Sequence, residues 1–143
     1  MRNAQYENSM AKLLAIGVPL VTVFILTGSV TDPVNMTKLL MLGGVGFSAL
    51  TLFALRGFRV GATSSKVAIL ATAAFVVFSL ISVLLSDLPL AQNLYGVYGR
   101  NTGFVTYLLL AGVLLGALTF SEAKSFNLIF RGLLFAGIIN VAY

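Results

Sequence analysis

Lys66-Val67-Ala68-Ile69-Leu70-Ala71-Thr72-Ala73-Ala74-Phe75-Val76-Val77-Phe78-Ser79-Leu80-Ile81-Ser82-Val83-Leu84-Leu85 decides the fold of this chain. Beyond the lysine at its edge the run carries no charge. It is long enough to cross a hydrocarbon core, which takes about 20 residues in a helix. Thr72, Ser79, Ser82 and Ser86 fall on roughly one face at helical spacing and give the span a mildly polar stripe. Hydrogen bonding to a neighbouring helix accounts for such a stripe, and a substrate-lining face is the alternative.

The same reading extends along the chain. Hydrophobic residues make up 59% of it and charged residues 9%, where a soluble domain carries about 25% charged residues. The nine Lys and Arg outnumber the four Asp and Glu, but they stand singly at the ends of apolar runs. They form no patch suited to nucleic acid, so membrane topology explains them instead. Cysteine and histidine are absent. That excludes from these residues a disulfide, a thiolate zinc site, a Ser-His-Asp triad and any histidine base, and no metal or cofactor is expected. None of Glu7, Asp32, Asp87 and Glu122 lies at mid-membrane, which weighs against an ion-coupled transporter.

The expected architecture is an all-α, polytopic bundle of transmembrane helices. Spans are predicted over about 11–31, 37–55, 66–85, 102–120 and 126–143, the fifth truncated. Pro19 is expected to kink the first. Gly43, Gly44 and Gly46, the Gly112/Gly116 pair, and the Gly132, Ala136 and Asn140 stripe are helix-packing material. Asp87 and Pro89 predict a short helix over 87–94 along the membrane surface, stopped near Gly96. Even alternation places Arg2, Lys12, Arg56, Arg59, Lys66, Lys124 and Arg131 at one set of ends, and Lys38 and Arg100 at the other. By the positive-inside rule the N-terminus is cytoplasmic. The last span runs to Tyr143 with no polar flank, so the chain is expected to be the N-terminal part of something longer.

An outward arginine needs a reason other than that rule. Arg100 sits in Leu94-Tyr95-Gly96-Val97-Tyr98-Gly99-Arg100-Asn101-Thr102-Gly103-Phe104-Val105-Thr106-Tyr107-Leu108, where glycines, tyrosines and one guanidinium crowd at the mouth of the fourth span. Two readings stand. The stretch is a glycine-rich connector whose arginine snorkels to headgroups, or it is a contact for a phosphate, which suits a planar guanidinium fork.

This segment resembles the L-x-G-x-x-G-R-x-x-G-hydrophobic-x-T-Y-L stretch of O-antigen ligase and O-antigen polymerase-like membrane proteins. Asp32-Pro33-Val34-Asn35 with Lys38 and Leu39 is similar to the first outer loop of many members. The resemblance implies a bacterial inner-membrane protein of glycan assembly, which transfers a polyprenyl-diphosphate-linked glycan to an acceptor on the outer face. It implies a diphosphate contact at Arg100, Gly99, Asn101, Thr102 and Gly103, with the backbone N–H groups of a helix starting at Thr102 assisting. The family's large outer loop and its catalytic histidine lie in a later half, so no catalytic residue is assigned here and these residues alone are expected to be inactive. The alternative is a small non-enzymatic subunit that packs on a partner through its glycine-rich helices. Membrane lipids and further helices are partners in either case.

Overall fold

The computed structural model describes residues 2–25, 34–57, 63–97 and 99–142. Every element among them is an α-helix: α1 (Arg2–Val23), α2 (Asn35–Leu55), α3 (Thr63–Leu85), α4 (Leu90–Tyr95), α5 (Phe104–Ala117) and α6 (Ala123–Ala142). Three are long and apolar enough to cross a membrane, namely α2, α3 over Lys66–Leu85, and α6. The other two long helices fall outside that class. α1 carries Arg2, Glu7 and Lys12 in its first half, and α5 has 14 residues, about 21 Å against a core of about 30 Å.

α1 lies between α6 and α2, α5 packs on α2 and reaches α1, α3 packs on α5, and α4 rests against α5 and α3. The core is formed by Met10, Leu14, Val45, Ala49 and Phe53, from α1 and α2. Close approach of backbones sets the crossings. A Cβ at Gly46 would lie 2.8 Å from the Leu109 carbonyl oxygen, and one at Gly112 would lie 2.7 Å from that of Gly46. Gly43 and Gly44, expected to serve the same purpose, have open space instead.

The first helix corrects the sequence reading, which began it near residue 11 and carried it to 31. It starts at Arg2 and ends at Val23, and residues 26–31 lie outside the described residues. The reason is that Glu7, Met10, Ala11 and Leu14, at i, i+3, i+4 and i+7, are all buried. A polar segment is thereby pulled into the helix by what its inner face touches. Further along, Pro19 leaves the Ala15 carbonyl without its helical donor. Gly132 of α6 covers that oxygen, where a Cβ would collide with it and stand 3.2 Å from Pro19 Cγ.

One end of the bundle is closed by two charges. Glu7 Oε1 accepts from the backbone N–H groups of Ser121 (2.9 Å) and Glu122 (3.0 Å) and from Ser125 Oγ (3.1 Å), while Oε2 accepts from Ser121 Oγ (2.7 Å). A carboxylate thus caps the N-terminus of α6 from another helix. Beside it, Arg56 Nη1 donates to the Thr119 carbonyl (2.6 Å), just past the C-terminus of α5. Each charge has the sign that suits the helix end it faces. Burial disfavours the ionised Glu7, but its backbone and hydroxyl donors outweigh that and lower its pKa from 4.5 to about 2. Neither role is legible in the sequence, where Glu7 stands ahead of the first predicted span and Arg56 reads as a topology marker.

Candidate functional site

The opposite end carries the glycine–arginine loop. α3 ends at Leu85, and the chain turns where the Leu88 N–H donates to Ser86 Oγ (3.3 Å). Pro89 then caps α4, and Asn93 Nδ2 donates to the Leu88 carbonyl (3.2 Å). The start expected at Asp87 is therefore made by Ser86 and Asn93, and α4 begins at Leu90. It stops at Gly96, whose φ of 87° is a conformation that only glycine adopts without strain.

From Gly96 the chain makes a compact turn. The N–H groups of Arg100 and Asn101 both donate to the Val97 carbonyl, at 3.0 and 3.3 Å. Gly99 (φ 84°) and Asn101 (φ 49°) hold left-handed conformations, which glycine and asparagine tolerate. Asn101 is pinned by Thr106, whose hydroxyl donates to its carbonyl. Gly103 is buried, and a Cβ there would run into the Leu94 carbonyl and the Gly96 nitrogen. The loop closes on itself because that side chain is missing.

Gly99, Arg100, Asn101 and Thr102 thus stand together, with Gly103 as the packed base beneath them. α5 starts at Phe104 with Gly103 as its cap, two residues later than the start at Thr102 expected from the sequence. Arg100 is exposed, and its guanidinium has no hydrogen-bond or ion-pair partner among the described residues. The Asn101 Nδ2 is buried and donates to no described residue.

The structure also joins two stretches that are far apart in sequence. Asn35 Nδ2 donates to the Gly99 carbonyl (2.6 Å), tying the first turn of α2 to the arginine loop. Asp32 and Pro33 lie outside the described residues, while Lys38 and Leu39 follow half-buried on α2. Among the described residues no cluster of His, Cys, Asp and Glu is placed to hold a metal ion. On one side of the loop, α3, α4 and α5 border an open cavity of about 650 Å³ rimmed by Gly96, Val97, Thr102 and Gly103. On the other, α2 and α5 form an apolar groove that ends at Tyr95 and Asn101. An exposed cation on a loop that borders two cavities is suited to hold an anionic group. No family model, curated protein or solved structure matches the chain.

Proposed function

We propose that this chain is the N-terminal membrane portion of a bacterial glycan ligase or polymerase, working on a polyprenyl-diphosphate-linked glycan at the outer face of the inner membrane. In this reading α1 and α5 cross with the other long helices, the N-terminus is cytoplasmic, and the glycine–arginine loop faces outward. The observation that carries it is the Asn35–Gly99 hydrogen bond. It couples the two segments on which the family resemblance rests, and it does so directly beside an arginine with no partner among the described residues.

Glycan transfer forms a bond from the acceptor oxygen to the anomeric carbon and breaks the bond from that carbon to the diphosphate. Charge develops on the departing phosphate oxygens, and a guanidinium beside them stabilises it more in the transition state than in the ground state. Arg100 takes that role, with Asn101 and Thr102 beside it. The base that removes the acceptor proton comes from outside these residues, since they contain no histidine.

The test is transfer from a polyprenyl diphosphate donor in membranes, using the complete reading frame. Loss of one such contact costs about 2–4 kcal/mol in the transition state, so Arg100→Ala lowers transfer by about 30- to 1000-fold. Arg100→Lys keeps the charge without the fork and falls between. Normal transfer by Arg100→Ala at normal abundance refutes the diphosphate contact and leaves Arg100 a snorkelling residue, whereas no transfer by the unsubstituted protein favours a non-enzymatic subunit. Orientation is tested separately with single cysteines, these residues containing none and any elsewhere in the frame being replaced. Gln92→Cys should react with an impermeant thiol reagent from outside intact cells and Lys124→Cys should not.

A further inference from the structure

We infer that the cavity between α3, α4 and α5 is a carbohydrate subsite, taking the pyranose that is attached to the diphosphate. The inference rests on the function proposed above and names the part of the substrate that this cavity holds. Its volume, about 650 Å³, lies within the range of about 300–1,000 Å³ typical of small-molecule sites.

The unspent hydrogen-bonding groups carry the argument. Hydroxyls in apolar helices ordinarily turn back on their own backbone, and those of Thr51 and Thr72 do, to the carbonyls of Phe47 and Ala68. Ser79 and Ser82 of α3 line the cavity and bond to no described residue. Gln92 of α4, exposed, adds an amide to the lining. Each hydroxyl offers one donor and two acceptor sites, and each amide two of each. The same cavity is lined by the rings of Phe75, Phe104 and Tyr107, of which Phe75 and Tyr107 meet edge to face with centroids 5.8 Å apart. A pyranose has the matching surface, a ring of hydroxyls around an apolar C–H face that packs on aromatic carbon. A hydrocarbon chain would leave the serines and Gln92 unpaired. The cavity rim includes Val97 and Thr102, which flank Arg100 in the loop, so in this inference the diphosphate leaves the cavity on the side of that loop.

Single cysteines test this in the complete protein, these residues containing none and any elsewhere being replaced by serine. Ser79→Cys and Ser82→Cys are compared with Val77→Cys, whose parent side chain is exposed outside the cavity. A cationic, impermeant methanethiosulfonate should label the two serine positions about tenfold faster or more, because the reactive thiolate forms only in contact with water. Geranyl diphosphate bearing N-acetylglucosamine or glucose, held at about ten times its Kd, should slow labelling at both positions about tenfold. Geranyl diphosphate without sugar should not. Native mass spectrometry reports whether each probe binds and whether binding needs Arg100. Unreactive cysteines at 79 and 82, or bound glycosylated probes that give no protection, overturn the subsite while leaving the Arg100 contact standing. Sugar-dependent protection that persists in Arg100→Ala with unchanged affinity supports the subsite and refutes the diphosphate contact.

Discussion

The Glu7–Arg56 clasp and the Arg100 loop, at opposite ends of the bundle, use charge in opposite ways. At one end Glu7 is buried among four hydrogen bonds and Arg56 reaches the Thr119 carbonyl just past the end of α5, so both charges are spent on holding the α5–α6 turn. At the other end the backbone does the holding. Gly103 packs under Leu94, Asn35 ties Gly99, and Thr106 pins Asn101, while Arg100 stands exposed. A charge that the fold does not consume is available to a ligand. That difference separates a structural residue from a candidate binding residue more sharply than residue type, since both ends carry an arginine.

The contrast breaks first, if it breaks, at Glu7. Glu7→Ala leaves two backbone N–H groups and two hydroxyls without their acceptor. It should destabilise the purified protein by on the order of 3 kcal/mol, measured as helix loss during denaturant titration in detergent. A loss below about 1 kcal/mol would show that water replaces the carboxylate and that the clasp is incidental.

The acid limb sharpens the same point. Glu7 has a folded pKa near 2 against an ordinary 4.5, so its contribution is full above the unfolded value and disappears as pH falls through the folded one. The shift corresponds to about 3 kcal/mol, lost between about pH 5 and pH 2. Glu7→Gln should remove this dependence, leaving a flatter stability profile over that window than the wild type shows.

At the loop end the equivalent break is Gly103→Ala. The added methyl meets the Leu94 and Gly96 backbones rather than a flexible side-chain tip, and overpacking of that kind costs about 1–3 kcal/mol. Hydrogen exchange should then rise across 94–103 while the α5–α6 turn keeps its protection. Exchange rising equally at both ends would show that the ends are not independent.

The sequence made the long apolar helices plain because α2, α3 and α6 announce themselves by length and by the scarcity of charge. It hid α1's true start, because residues 2–10 are polar on average and only their inward face reveals the helix. The clasp was illegible for a different reason. Glu7 and Ser121 stand 114 positions apart, and no local pattern links them. The loop lay between these cases. Its glycines and arginine drew attention as a run, yet their division into a packed base at Gly103 and an exposed tip at Arg100 depends on where Leu94 returns.

Arg56→Met comes next in size. It keeps an apolar stem while deleting the donor to Thr119, and an interaction with a helix C-terminus at a half-buried site contributes about 1 kcal/mol. A loss of that order in the same denaturant titration is expected, with no effect on lipid diphosphate binding at the far end.

The smallest expected stability effect belongs to Arg100→Ala. Its side chain is exposed and makes no hydrogen bond or ion pair to any described residue, and surface substitutions of that kind stay within about 0.5 kcal/mol. The left-handed conformations that shape the turn belong to Gly99 and Asn101, so removing the guanidinium leaves the backbone its reasons for being there. Stability should therefore be unchanged while diphosphate binding falls, the reverse of Arg56→Met. The pair is best measured side by side, as a denaturant midpoint and as lipid retention by native mass spectrometry. If Arg100→Ala instead lowers stability as much as Arg56→Met does, its charge is also consumed by the fold, and the distinction between the two ends fails.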